Sequence, residues 1–365
     1  VSTSLQQRVE LATVARLAGQ RPRCQPSAPS RAAAQSPAGA RHGQCRTTHG
    51  RAAAGQYASP VQITVVGAGV IGLTTALTLE EHGHDVRLVA AATGEAITSS
   101  VAAACWFPYR AGPPERVGVW AAETRAWLDR LAGDHTAGVV RVTGYEITNE
   151  GPAAPPPWWA ANIDVTRAPA PVTGTPLAWR FASLCIEPAR YLAWLTGRLR
   201  GRIERRDVTD LASEPGDVVI NCTGLAAGQL TGDDAISPLL GQVVITELGA
   251  VDRSITVTDE RDPDALFYMV PRRDELVLGG CSIAWPPGVP PESDPGITSR
   301  ILGHARALGL AVGDVKRVRV GLRPYRPEVR LERAGRIVHN YGHGGAGYTL
   351  SRGCADEVAR LVGQR

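Results

Sequence analysis

The sequence predicts an α/β protein in which a parallel sheet opened by a β-α-β unit is interleaved along the chain with a second, loop-rich unit. Three observations carry this reading. A β-branched run over 61–66 passes through a glycine turn into a helical stretch and a second strand, which is a β-α-β unit. Two later runs, 217–222 and 336–340, again have strand texture and again end in small-residue or glycine turns. Between these, blocks of strands alternate with α/β blocks, as two interleaved units require.

The elements follow in order. Strand 61–66 is bounded by Pro60 and Gly67, and is followed by a helix over 70–82 and a strand over 85–89. Across 116–131, Val117, Trp120, Ala121, Trp127, Leu128 and Leu131 recur on one side of a helix. Residues 139–147 read as strand, whereas 152–176 is studded with proline around Trp158-Trp159 and reads as loop. A helix over 187–199 opens with Pro188, tolerated there because a first-turn N–H has no helical partner. Buried-strand texture returns at 217–222, then at 241–247, 265–270, 275–281 and 315–320, with a turn at Arg272-Arg273-Asp274. The chain closes with a strand over 336–340, a glycine-rich turn and a helix over 348–362. No internal repeat is present.

The net charge of +4 conceals an uneven distribution. Residues 1–60 hold eight arginines, no lysine and one acid, Glu10, so 61–365 carry 31 basic against 34 acidic residues, and no nucleic-acid partner is expected there. The 365 residues suit about two domains of ~100–200 residues, and 44% hydrophobic content is enough for a core. The most apolar stretch, 61–79, is broken by Gly67, Gly69 and Gly72, so no membrane span is expected. Seven widely spaced cysteines form no metal-ligand or redox pattern, which excludes a metal site and implies free thiols in a reducing, cytoplasmic setting. No secretory signal or peroxisomal address is read. The Arg-rich, acid-poor stretch 1–60 is a low-complexity leader expected to be disordered; a transit peptide or basic arm would have this composition, and so would an upstream stretch included by an early start, which is favoured.

Three turns carry the chemistry. In Gly67-Ala68-Gly69-Val70-Ile71-Gly72, between strand and helix, Gly67 permits a tight turn, Gly69 lets a pyrophosphate approach the backbone, and Gly72 lets the helix close on the strand. The acid that ordinarily closes the second strand on a ribose is absent: Val89 is followed by Ala90-Ala91-Ala92, so NAD is not supported. The second turn, Asn221-Cys222-Thr223-Gly224, leaves a buried strand and should face the same ligand. The third, 341–347, is glycine-rich and opens a helix whose positive end points at whatever lies there. Together they imply a large, extended cofactor.

From about 61 to 362 the chain resembles the D-amino-acid oxidase family of FAD enzymes, through GAGVIGL, TSSVAAACWFPY, VINCTG, FYMVP with LVLGG, GLRPYRP, and HNYGHGGAGYTLSRGCADEVA, in that order. The resemblance implies a Rossmann-like FAD-binding domain (61–138, 188–240 and 321–365) interleaved with a mixed-sheet substrate-binding domain (139–187 and 241–320). It implies non-covalent FAD contacts from Gly67, Gly69, Val70, Ile71, Gly72, Thr98, Ser99, Ala103, Ala104 and Cys105. Further contacts are implied from Val208, Thr223, Gly224, Gly344, Gly345, Gly347, Tyr348 and Thr349. Members often carry a polar pair where Ala91-Ala92 stand.

For catalysis the resemblance implies a substrate carboxylate held by Arg323, whose planar guanidinium suits bidentate binding, and by the Tyr268 hydroxyl, with the Gly345 carbonyl accepting from the amine. Three fixed points present one face of the α-carbon to the flavin and so select handedness. The α-hydrogen passes as hydride to flavin N5 with no obligatory protein base, so His339 and His343 are read as structural. A second tyrosine on a longer lid in vertebrate members is here Asp264, in a short loop over 259–265. Phe107, Tyr109 and Trp285 are candidate pocket residues.

The expected reaction is FAD-dependent oxidative deamination of D-amino acids, neutral ones by default, to 2-oxo acids, ammonia and hydrogen peroxide. Its partners are a small D-amino acid and molecular oxygen, and a homodimer is left open. A D-aspartate or D-glutamate oxidase is the nearest alternative and would need a second cation, for which Arg110, Arg272 and Arg273 are candidates. A glycine- or sarcosine-oxidase-like flavoenzyme and a non-enzymatic binding module are the others; retention of Arg323 and Tyr268 speaks against the last.

Overall fold

The computed structural model describes residues 60–262 and 264–364, so the leader expected over 1–60 lies outside them but for Pro60. Strand β1 (Gln62–Val66) leads through the glycine turn to helix α1 (Val70–Glu81) and strand β2 (Asp85–Ala90), which pairs with β1 in parallel. Helix α2 (Pro114–Leu131) follows, then β3 (Val139–Ile147), β4 (Val165–Pro169) and β5 (Leu177–Ile186). Helix α3 (Pro188–Thr196), β6 (Glu204–Arg205), β7 (Val218–Asn221) and the short α4 (Ala227–Thr231) come next. The strands β8 (Ser237–Thr246), β9 (Ile255–Asp259), β10 (Phe267–Pro271), β11 (Leu276–Gly279) and β12 (Ile283–Ala284) precede helix α5 (Pro295–Ala307). Strand β13 (Val315–Ala334), β14 (Ile337–His343) and helix α6 (Gly347–Gly363) complete the described chain.

All strands join one 14-stranded sheet in the order β4-β5-β3-β9-β10-β11-β8-β13-β14-β7-β1-β2-β6, with β12 beside β8. The β14-β7-β1-β2-β6 end is parallel throughout; the remainder is antiparallel except for β3 against β9. Strand β13 joins the two regimes, because its first part pairs with β8 and its last with β14, with the register shifting between Tyr325 and Arg330. Pro324 and Pro327 fall near that changeover, where a missing N–H breaks little of the ladder. The expected strand over 315–320 is therefore only the start of a much longer one.

Other differences have local causes. The proline-rich stretch 152–176 is largely loop, yet β4 lies within it and pairs with β5 from Val165↔Phe181 to Pro169↔Leu177, as an edge strand can while carrying a proline. Helix α5 starts at Asp294, whose carboxylate accepts from the Gly296 N–H at 2.6 Å, with Pro295 in its first turn.

The core explains the order of layers. Val65, Ala76, Leu79, Val219 and Ile220 are fully buried around the parallel strands, and each buried Val, Leu or Ile contributes roughly 1.5–3 kcal/mol. Helix α1 is buried on nearly all sides and packs on α6, which in turn packs on α2. There Gly353 permits the approach: a side chain would begin 2.3 Å from the Trp120 carbonyl oxygen. A second apolar cluster, with Val257, Phe267, Met269, Leu278 and Ile301, seats α5 on the mixed part of the sheet.

Candidate active site

A cavity of about 500 Å³ runs from the carboxyl ends of β1, β2, β7 and β14 to the face of the mixed sheet at β8, β10 and β13. Open α/β sheets bind ligands at strand carboxyl ends. At its parallel end the Gly67 amide donates to the Val89 carbonyl at 2.8 Å, and Gly67 takes φ +110°, where a side chain would begin 2.3 Å from the Cys222 carbonyl oxygen. Gly72 sits behind this turn, not on the cavity: its missing β-carbon would lie 1.8 Å from the Gly67 oxygen. The two glycines thus press the start of α1 against the turn and aim its N-terminus into the cavity. The start of α6 faces the same space, and neither helix has an acid in its first turn or a capping bond from its own N-cap residue, so both positive ends face an anionic or electron-accepting ligand, with only the Val70 N–H of α1 taken by a neighbouring side chain.

The wall over 98–109 is pinned to β5, where the Trp106 N–H donates to Leu184 and the Ile186 N–H to Ala104, both at 2.7 Å. Ala104 is held at φ +60°, an uncommon conformation for a residue with a side chain. Thr98 donates to the Leu322 carbonyl at 3.2 Å, Ser99 Oγ accepts from the Val70 N–H at 3.0 Å, and the Tyr348 hydroxyl donates to the Ser99 carbonyl at 2.9 Å. Thr349 lies beneath the wall, its hydroxyl donating to the Phe107 carbonyl at 2.8 Å and accepting from the Phe107 N–H at 3.1 Å. Gly72 and Thr349 apart, the expected cofactor-contact residues all line the cavity, Val208, Thr223, Gly224, Gly344 and Gly347 included. Burial pushes the Cys105 thiol up to about 12, so it stays protonated.

At the mixed-sheet end, Arg323 lies flat across β8, where Gly241 leaves room: a β-carbon there would fall 2.6 Å from the guanidinium carbon. One nitrogen donates to the Cys281 carbonyl at 2.7 Å and to that of Leu240 at 3.4 Å. The rest of the guanidinium makes no hydrogen bond, and no carboxylate forms an ion pair with it among the described residues. The Tyr268 ring leans over Gly279 and Gly280, whose β-carbons would fall 2.0 and 2.7 Å from ring atoms. Its hydroxyl is unbonded; burial raises its pKa while the Arg323 charge acts in the opposite sense. The Gly345 carbonyl also receives no hydrogen bond among the described residues, and Tyr109 flanks it, with a ring carbon 2.6 Å from where a Gly345 β-carbon would stand. The Tyr109 hydroxyl is buried without a well-formed hydrogen bond and its pKa is raised by burial.

His343 lines the cavity but burial holds it down at about 3, so it is neutral and a poor base, and His339, also lowered by burial, lies off the cavity against Asn221 at 3.4 Å. Phe107 and Tyr109 line the cavity; Trp285 does not, its indole donating to the Val289 carbonyl at 3.0 Å. Of the three candidate second cations none lines the cavity. Arg110 is exposed and donates to Ser282 at 3.2 Å, Arg272 pairs with Glu275 at 3.0 Å, and Arg273 is exposed. Asp264 is exposed on the loop joining β9 to β10.

Two carboxylates that sequence reasoning passed over line the cavity among the described residues. Asp207 stands at the parallel end, two residues beyond β6, which pairs with β2 at Ala90↔Arg205. Glu260 stands at the other, one residue beyond β9. The signal for Glu260 was the alternation in Ile255-Thr256-Val257-Thr258-Asp259-Glu260, which marks a strand and puts Thr258 and Glu260 on one face.

Comparison with known proteins gives a consistent picture. The model of the family described as FAD dependent oxidoreductase matches residues 62–361. A D-amino-acid oxidase of Rubrobacter xylanophilus is 41% identical over 319 residues, covering 82% of this chain and 95% of that protein. One of Streptomyces coelicolor is 38% identical over 315 residues, covering 82% and 96%. The human D-aspartate oxidase is 33% identical over 337 residues, covering 83% and 95%. Among solved structures, a glycine oxidase from Bacillus cereus superposes with a TM-score of 0.66 at 19% identity over 83% of this chain and 94% of that one, a likeness of fold.

Proposed function

This chain belongs to the FAD dependent oxidoreductase family, and we propose that it deaminates D-amino acids oxidatively to 2-oxo acids, ammonia and hydrogen peroxide, with Arg323, Tyr268 and Gly345 as the substrate anchors. The observation that carries this reading is an unpaired guanidinium beside an unbonded phenol at one end of a cavity whose other end is a dinucleotide turn.

The residues present fit FAD. Two helix N-termini face the cavity, the Gly67 turn has no room for a side chain, and Ala90, Ala102 and Ala103 give a small, apolar lining suited to a long planar cofactor. Gly67, Gly69, Val70 and Ile71 would hold its pyrophosphate, with Val208 and Asp207 near the adenosine and 344–348 near the flavin ring. When bound, FAD supplies the acceptor for the α-hydrogen and its electron pair, which end on oxygen.

The protein's part is positioning. The free edge of the Arg323 guanidinium takes the carboxylate, the Tyr268 hydroxyl adds a third donor, and the open Gly345 carbonyl accepts from the amine, so that only one enantiomer turns its α-hydrogen toward the ring. Tyr109, Tyr268 and Cys105 remain protonated and His343 neutral, so these groups take no proton at neutral pH. The imine formed hydrolyses in water. With no second cation on the cavity among the described residues, side-chain carboxylates of D-aspartate and D-glutamate lack a partner there, which favours the oxidase of other D-amino acids. Oxygen uptake with peroxide formation on D-alanine, and none on L-alanine, is the expected result; uptake on the L-isomer would overturn the reading.

A further inference from the structure

We propose that Glu260 reads the substrate side chain, and that the cavity favours D-amino acids with a cationic side chain, such as D-lysine, D-ornithine and D-arginine, over neutral ones of similar length. This rests on the reading of the site as a D-amino-acid oxidase.

The sheet register sets the geometry. Thr258 pairs with Tyr268 across β9 and β10, and Glu146 with Thr258 across β3 and β9, so Glu146, Thr258 and Tyr268 stand in a row on one face. Glu260 returns to that face and is diagonal to Tyr268, at about 7–8 Å between α-carbons. Asp259 turns to the opposite face, where it binds Arg261 at 2.8 Å and His304 at 3.0 Å. Thr258, Glu260, Leu266 and Tyr268 line the cavity together. A substrate clamped by its carboxylate on Arg323 and Tyr268 therefore extends its side chain along a wall that ends in a carboxylate.

That carboxylate is unspent. It makes no hydrogen bond or ion pair among the described residues, and its Oε1 is shut off from solvent without a partner. Burial holds it at about 7, the Asp259 charge acting in the same sense and the exposed Arg110 opposing. Of the other groups facing it, Tyr109 and Cys105 stay neutral, and Glu146 is held up at about 8 by burial and by Glu260 itself. A buried acid that no cation or donor pairs directly is costly to ionise unless something pairs with it. An ammonium or guanidinium arriving on the substrate is such a partner, and the same charge repels acidic side chains.

The test compares D-lysine with D-norleucine, which has the same four-carbon chain without the ammonium, in the holoenzyme and in Glu260→Gln and Glu146→Gln. The wild type should favour D-lysine by at least tenfold in kcat/KM, and Glu260→Gln should lower that preference at least tenfold, mainly through the KM for D-lysine. Glu146→Gln, behind the wall, should move it less. Binding of 6-aminohexanoate against hexanoate, followed by the flavin spectrum, should show the same preference without turnover. A preference unchanged in Glu260→Gln overturns the proposal. So does an equal fall in kcat on both substrates, which would assign Glu260 to taking the α-ammonium proton. Oxidation of no D-amino acid by a flavin-loaded protein would sink the oxidase reading itself and this proposal with it.

Discussion

Replacing Glu260 with Gln should stabilise the protein at alkaline pH far more than at acid pH. A buried carboxyl whose pKa rises from 4.5 unfolded to about 7 folded binds its proton more tightly in the native state. Stability from this group is then fully present below about 4.5, falls as pH climbs through the window from 4.5 to about 7, and stays low above it. At ~1.36 kcal/mol per unit, the penalty reaches about 3 kcal/mol at about pH 8.5 and stays under about 1 kcal/mol near pH 5. Gln keeps the shape and cannot ionise, so any constant cost of burying its amide cancels between the two conditions. Unfolding of wild type and Glu260→Gln holoenzyme, followed by tryptophan fluorescence in urea, gives the difference directly. The variant should gain about 2–3 kcal/mol relative to wild type between the two pH values. A gap that does not change with pH would refute the claim that Glu260 is an unpaired acid in the folded protein.

Arg323→Lys removes the planar fork and should raise the KM for D-alanine by roughly 10- to 100-fold, as loss of one charge-assisted bond of ~1.5–3 kcal/mol requires; steady-state kinetics check it, and an unchanged KM would separate Arg323 from the carboxylate. Gly72→Ala drives a β-carbon against the Gly67 oxygen, 1.8 Å away, so the purified variant should lose its flavin, read as the ratio of visible to protein absorbance. Asp207→Ala should weaken FAD binding by about tenfold, the effect of one lost bond to a charged group; titration of the apoprotein with FAD decides it, and equal affinity would leave the ribose to backbone groups.

The parallel half of the fold was legible because β1, β7 and β14 are apolar and each ends in a glycine turn with a single structural purpose. Residues 61–89 and 336–362 show this, down to the helix bounds of α1 and α6 within about a residue. The mixed half was less legible for a physical reason: its strands take partners far along the chain, and pairing, not local sequence, sets where they start and stop. Strand β5 alternates buried and exposed only in its middle and was not read at all, while β13 continues past two prolines because β14 takes over from β8. The site followed the same division. The glycine turns announced themselves and Arg323 came with the family resemblance, whereas Glu260 depends on β9 being recognised as a strand and Asp207 on β6 lying beside β2. Trp285 shows the converse error, an aromatic near the right segment but turned to Val289.

Whether this cavity presents one face of a D-amino acid to FAD is decided by mixing the purified holoenzyme with D-alanine, and separately with L-alanine, without oxygen and following the visible flavin bands. The D-isomer alone should bleach them, and the colour should return when oxygen is admitted. Bleaching by L-alanine, or by neither D-alanine nor D-lysine, would show that the cavity does not orient a D-amino acid in this way.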